Sequence, residues 1–191
     1  MGHRRFTIGP PLTLRGRTFK GLRGFAGKPF HPPLTDVPVT AYTFAAVFDL
    51  ASIILGERGL GRQAYVAATW SIIAGAIVSL PTILTGFWDW LKSTPKYTQA
   101  RRTANTHMAI MLTVTGLVAI DIALRLQQSE SQVVPVPVLV LSLVIGALTF
   151  VGATYGGSLV YDYGFNVETS GDHPVWHESE VDVYPGDKPV V

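Results

Sequence analysis

The sequence predicts an all-α protein, a four-helix transmembrane bundle with both termini on the cytoplasmic side. Three observations lead to this fold class. Four long apolar blocks divide the 191 residues. Charged residues make up only 15% of the chain, against about 25% in typical soluble domains. The mean hydropathy is +0.31, which indicates more apolar residues than the core of a small soluble protein would bury.

The apolar blocks run from about 37 to 56, 64 to 91, 107 to 126 and 133 to 161. Each provides close to the roughly 20 residues that a helix needs to cross a hydrocarbon core of about 30 Å. The blocks are continuous, whereas the strands of a membrane barrel would alternate between apolar and polar residues. Short polar connections between the blocks favour antiparallel neighbouring helices.

The distribution of lysine and arginine predicts the orientation. One side of the membrane receives eleven basic residues: seven in residues 1–36, with Lys92, Lys96, Arg101 and Arg102. The opposite side receives Arg58, Arg62 and Arg125. Because loops rich in lysine and arginine stay inside, the first side is predicted to be cytoplasmic.

The chain then divides into three parts. Residues 1–36 form a basic segment that we expect on the membrane surface, residues 37–165 the transmembrane domain, and residues 166–191 an extended acidic tail. The isoelectric point near 9.0 follows from membrane topology, so we expect lipids rather than nucleic acid as partners. The chain has no cysteine, which excludes an iron–sulfur cluster held by this chain alone.

Ionisable residues inside the spans require an explanation, since a central charge costs at least about 2.5 kcal/mol on insertion scales. Asp49 lies in the first block and Asp121 in the third. Arg125 follows Asp121 by one helical turn, so the two are predicted to form an ion pair. Arg58 or Arg62 is the expected partner of Asp49. A proton relay through the two carboxylates is the functional alternative.

A second group of polar residues is predicted at the cytoplasmic end of the bundle. His31 and Asp36 precede the first block, Asp89 ends the second, and His107 opens the third. The two histidines are candidate ligands for a b-type haem or a quinone. The four residues lack a diagnostic metal-ligand spacing, and no metal site is predicted.

The alternative is a purely structural role for these residues. Asp36 would then cap the first helix. Asp89 would pair with Lys92 or Arg101, and His107 would hydrogen-bond across a helix interface.

Other patterns narrow the function further. Gly152 and Gly156 form a GxxxG pair that predicts close helix packing within the chain. The sequence contains no G-x-S-x-G elbow, P-loop, GxGxxG or H-E-x-x-H motif, so no catalytic residue is predicted. The two halves of the chain show no obvious repeat, which argues against a transporter.

The chain resembles a bacterial membrane family of unknown function, family 2231. The resemblance rests on HPPLTDVPV at 31–39 with Asp49, TGFWDW at 85–90, Asn105 to His107, and GGSLVYDYG at 156–164. It implies a four-helix bundle in the bacterial cytoplasmic membrane. Some relatives join such a bundle to a Rieske iron–sulfur domain, which implies a respiratory setting; this chain has no such centre. Many relatives carry a second histidine where this chain has Asp36.

The function expected from the sequence is therefore a non-catalytic membrane subunit or anchor that associates with other subunits of a larger, energy-transducing complex. The alternative is an electron-transfer module that binds b-type haem or quinone through His31 and His107. That alternative requires the two histidine side chains to face one another inside the bundle.

Overall fold

The computed structural model describes residues 29–57 and 59–164. These residues form four α-helices: α1 (His31–Leu55), α2 (Gly61–Ser93), α3 (Gln99–Gln127) and α4 (Val136–Tyr161). Each helix is long and apolar enough to cross a membrane. The predicted fold class, a four-helix transmembrane bundle, is confirmed. The acidic tail, most of the basic segment and Arg58 lie outside the described residues.

Three helices begin earlier than their apolar blocks, and the difference is largest for α1 and α3. Helix α1 begins at His31 instead of residue 37, because Pro32 and Pro33 fit the first turn, where backbone N–H groups have no partner within the helix. Helix α3 begins at Gln99 instead of residue 107, with Thr98 as its cap. The expected capping role of Asp36 is wrong, since this residue lies inside α1.

The four helices form a closed ring in chain order. Helices α1 and α3 each pack against both α2 and α4, and they lie diagonally opposite one another. The contact between α1 and α2 is the most extensive and that between α2 and α3 the smallest. The beginnings of α1 and α3 meet the ends of α2 and α4 at the histidine end of the bundle. The opposite end is named the arginine end, after Arg125.

Small and branched residues let the helices approach closely in the core. Ala45 and Ala68 are fully buried beside Ile72 and Ile145. The ring of Tyr42 lies against Gly75, and the Tyr42 hydroxyl is 2.7 Å from the Ser79 hydroxyl. The Gly152 position faces Met111 of α3, where a Cβ atom would come within 2.5 Å of the sulfur. The glycine pair on α4 therefore packs within the chain, as its sequence predicts.

Helices α3 and α4 repeat the burial pattern of α1 and α2. An offset of 76 residues relates four buried positions of α1 to four of α3: Pro38 to Val114, Tyr42 to Val118, Ala45 to Asp121, and Asp49 to Arg125. An offset of 70 residues relates every buried residue of α4 to a buried residue of α2. None of these buried pairs consists of identical residues, which explains why the repeat is not evident in the sequence. The two hairpins are equivalent in packing.

The close contact at Gly75 gives a test of the core. A Cβ atom at this position would lie 2.7 Å from Cε1 of Tyr42 and 2.9 Å from Cβ of Ala41. We expect Gly75→Ala to destabilise the bundle by about 1–3 kcal/mol, because overpacking forces these groups apart. The measurement is the midpoint of thermal unfolding in a mild detergent.

Gly116→Ala is the matched control, since a Cβ atom there meets nothing within 4 Å. This change is expected to raise stability by roughly 0.5–1 kcal/mol, because alanine loses less backbone entropy in a helix. Equal midpoints for the two variants would contradict the packing described above.

Candidate functional site

His31 lies at the start of α1 and packs against α2. Its Nδ1 atom is 2.9 Å from the carbonyl oxygen of Thr82. The imidazole lies directly over Gly86, where a Cβ atom would be 2.6 Å from Cε1 of the ring. Only glycine leaves room for the imidazole at this point of α2.

His107 occupies the corresponding position on the other hairpin. It lies in the third turn of α3, with Nδ1 2.8 Å from the carbonyl oxygen of Gly152 on α4. The ring lies over Gly156, where a Cβ atom would be 3.1 Å from Cε1. Both histidines are partly buried.

The repeat relates these two arrangements residue by residue. His31 and His107 differ by 76 positions, while the pairs Thr82 and Gly152, and Gly86 and Gly156, differ by 70. Each histidine contacts the carbonyl four residues before the glycine beneath its ring. The histidine end is therefore a two-part site, to which each hairpin contributes one imidazole in the same setting.

The hydrogen bonds fix the protonation of both rings. A backbone carbonyl can only accept, so Nδ1 of each imidazole must be the donor. In a neutral imidazole the other nitrogen, Nε2, then carries a lone pair. Histidines that ligate metals commonly use this arrangement, since a carbonyl on one nitrogen orients the ring and raises the basicity of the other.

The inner face of α2 adds polar groups beside His31. Thr82, Thr85 and Asp89 are all buried on this face, and Asp89 is only 4% exposed. The Thr85 hydroxyl is 3.4 Å from Nδ1 of His31. Asp89 therefore belongs on the interior side of the histidine end.

Asp36 does not join the interior group, contrary to the predicted polar cluster. Its residue is exposed on the outer surface of α1. There it lines a groove of about 690 Å³, together with Phe44 and Phe48 of α1 and Ala74 of α2. The sequence places Asp36 at the histidine end of the bundle. The face of α1 on which it lies depends on the rotation of the helix about its own axis.

The basic residues near Asp89 contact tryptophans at the end of α2. The guanidinium of Arg101 lies 3.6 Å from the centre of the Trp90 ring, and it donates to the Trp90 carbonyl at 2.8 Å. Trp90 also donates from its indole nitrogen to Asn105 at 2.7 Å. Lys92 lies 5.4 Å from the centre of the Trp88 ring. The contacts of Trp90 with Arg101 and Asn105 join the end of α2 to the start of α3, while Lys92 and Trp88 both belong to α2.

At the arginine end, one guanidinium binds two carboxylates. Arg125 donates from Nε to Asp121 at 2.6 Å, the contact that the spacing of these residues predicts. Its two terminal nitrogens bind both carboxylate oxygens of Asp49. All three side chains are fully buried, with 0% exposure of their side-chain atoms.

The expected pairing of Asp49 with Arg62 is wrong. Arg62 instead donates to the backbone carbonyls of Ser129 and Ser131, at 3.0 Å and 2.9 Å. These bonds hold the connection between α3 and α4 at the membrane surface. Arg125 takes the place of Arg62 because it reaches Asp49 from the diagonally opposite helix.

Sequence reasoning found both histidines and missed the groups that orient them. Thr82 and Gly152 contribute only a backbone carbonyl, which no side-chain pattern can indicate. Gly86 lies within the TGFWDW segment, which gives no sign of a ring above this glycine. The GxxxG pattern predicts packing at Gly156, and a histidine on the neighbouring helix is the signal that would indicate its contact with an imidazole.

A family described as "Predicted membrane protein (DUF2231)" matches residues 27–169. The match covers most of the chain and all four helices. The chain belongs to this family. Neither a curated protein nor a solved structure matches the chain at a significant level. Membership of DUF2231 agrees with the membrane bundle and assigns no activity.

Asp49, Asp121 and Arg125 form the arginine cluster of this DUF2231 protein. Because Arg62 lies at the same end but outside the cluster, we expect alanine substitution of Arg125 and of Arg62 to reduce stability by very different amounts. Arg125→Ala would leave two buried carboxyl groups without their partner, and we expect it to lower the free energy of unfolding by about 3–5 kcal/mol. Thermal unfolding in detergent measures this loss.

Arg62→Ala is the control, because the Arg62 side chain is 38% exposed and its carbonyl acceptors can turn to water. We expect it to cost about 1 kcal/mol or less. Similar losses in the two variants would contradict the central role of Arg125.

Proposed function

We propose that this DUF2231 protein is a membrane electron-transfer module that holds a b-type haem between His31 and His107. The observation that supports the proposal is the matched setting of the two imidazoles. Each has its Nδ1 atom on a helix carbonyl and its ring over a glycine. Histidine nitrogen is a common axial ligand of haem iron, and a bundle core is a common place for it.

The residues present fit this group better than they fit a single metal ion. A structural zinc site takes four protein ligands and a catalytic one takes three. Within residues 29–57 and 59–164, no group of three or more histidine, aspartate or glutamate side chains lies together. Two histidines are enough for haem, because the porphyrin supplies the other four ligands.

The hydrogen bonds also favour haem over an oxidised quinone. The carbonyl oxygens of a quinone accept hydrogen bonds and require an N–H donor. With Nδ1 bound to a carbonyl, Nε2 of each neutral imidazole is itself an acceptor. Iron accepts a lone pair, so it suits this nitrogen.

The chain's own groups would then have distinct roles. His31 and His107 would ligate, while the carbonyls of Thr82 and Gly152 would fix the orientation of the rings. Gly86 and Gly156 would leave room for the two imidazoles to lie against α2 and α4. Haem iron supplies one-electron transfer when bound, and its potential depends on the burial and hydrogen bonding that these residues provide.

The direct test is an absorption spectrum of protein purified in mild detergent from its own membranes. We expect a Soret band in air and sharper α and β bands after reduction with dithionite. His31→Ala and His107→Ala should each abolish these bands, since each removes one axial ligand.

Asn105→Ala is the control, because Asn105 lies at the same end and its side chain accepts a hydrogen bond from Trp90 rather than contacting either histidine in the described residues. It should keep the spectrum. A colourless wild-type preparation, or bands that persist in both histidine variants, would exclude a haem held by His31 and His107.

A second proposal concerns assembly: the module is one subunit of a larger membrane complex, of the energy-transducing kind that the family resemblance implies. Asp36 supports it. Asp36 is exposed beside an apolar groove on the outside of α1, so this surface offers a partner both an apolar contact area and a hydrogen-bond acceptor. A donor from a neighbouring subunit would satisfy this carboxylate.

Native electrophoresis of gently solubilised membranes tests this assembly. The wild-type protein should migrate with partner subunits, and Asp36→Ala should release it. Asp162→Ala is the matched control, since Asp162 is exposed just after α4. A wild-type protein that migrates only as a free monomer would refute the proposal.

A further inference from the structure

The charges of the arginine cluster do not balance. Asp49 and Asp121 contribute two negative charges when ionised, and Arg125 contributes one positive charge. All three lie in the bundle interior, where their side chains are fully buried. An uncompensated charge in such a place costs several kcal/mol after relaxation.

The hydrogen bonds show which carboxylate carries the excess. Both oxygens of Asp49 accept from Arg125, and Arg125 also reaches the Thr69 hydroxyl at 3.4 Å. Asp121 uses only Oδ2, at 2.6 Å from Nε of Arg125. Its other oxygen, Oδ1, is buried and has no hydrogen-bond partner in the part of the chain that the structure describes.

The repeat indicates that Asp121 is not required for pairing. Its counterpart at the offset of 76 residues is Ala45, which is also fully buried. The pair of Asp49 and Arg125 already matches one carboxylate to one guanidinium through two parallel contacts. Asp121 is therefore an additional acid at a position where the fold accepts alanine.

We propose that the arginine cluster is a proton-binding site, and that the proton resides on Oδ1 of Asp121. The proton makes the cluster neutral, since one carboxylate and one guanidinium remain charged. A neutral hydroxyl buried without a partner costs less than a buried unpaired charge. Hard metal cations need about six oxygen ligands, and a single free oxygen suits a proton instead.

Among residues 29–57 and 59–164, the other ionisable groups around the cluster do not supply the missing charge. From α2, the ring of Tyr65 lies 5.6 Å from the Arg125 guanidinium, and Arg62 is directed to the carbonyls of Ser129 and Ser131. The only ionisable residues of α4 are Tyr155 and Tyr161, at the histidine end. The site is independent of the proposed haem, which would lie at the other end of the bundle.

Infrared spectroscopy of the full chain in lipid tests this site. At neutral pH, exposed carboxylates are ionised. The wild-type protein should nevertheless show the carbonyl-stretching band of a protonated carboxylic acid, which shifts in D₂O. Asp121→Asn should lose this band, and the exposed control Asp162→Asn should keep the wild-type spectrum.

A second measurement needs no variant. Biosynthetic labelling of the wild-type protein with ¹³C in the aspartate side-chain carboxyl group should shift the same band. The proposal is overturned if the wild type lacks the band at neutral pH, if labelled aspartate leaves it in place, or if it persists in a folded Asp121→Asn variant. It is also overturned if sodium ions at constant pH abolish the band, because a metal cation would then occupy the site.

Discussion

A guanidinium that is buried between two carboxylates joins the two helices that cannot otherwise meet. Helices α1 and α3 lie diagonally across the bundle, and in the described residues their backbones make no close contact. Arg125 spans this diagonal and binds Asp49 on α1 while it also binds Asp121 on its own helix. Lipid gives little hydrophobic drive for helix association, so such a polar link has a large effect on which helices face each other.

The diagonal link also determines the setting of the histidine end. Once Asp49 and Arg125 face each other, the phases of α1 and α3 are fixed along their whole lengths. His31 and His107 precede these residues by the same 18 positions, or five helical turns. Five turns bring each histidine back to the same face of its helix. The charged pair at one end therefore directs both imidazoles inward at the other end.

Much of the fold could be predicted from the sequence, because lipid requires long apolar helices and hydropathy reports them directly. The helix starts could not, since the polar first turns of α1 and α3 remain helical outside the hydrocarbon core. The pair of Asp121 and Arg125 was predictable because its spacing is local. The pairing of Asp49 with Arg125 was not, because 76 residues separate the partners. For Asp36, its position before the first apolar block indicates the end of the bundle at which it lies, but not the face of the helix.

The equivalence of the two hairpins bears on how such a chain could arise. Two identical hairpins around a two-fold axis would form a symmetric dimer, in which each residue near the axis faces its own copy. A dimer of this kind would supply two matched histidines without any further change. It could not supply the buried charge pair, because one residue type would stand at both positions and like charges would repel. Asp49 and Arg125 can differ only when the two hairpins have different sequences, so fusion and divergence of the two copies make available an interaction that a symmetric ancestor could not have had.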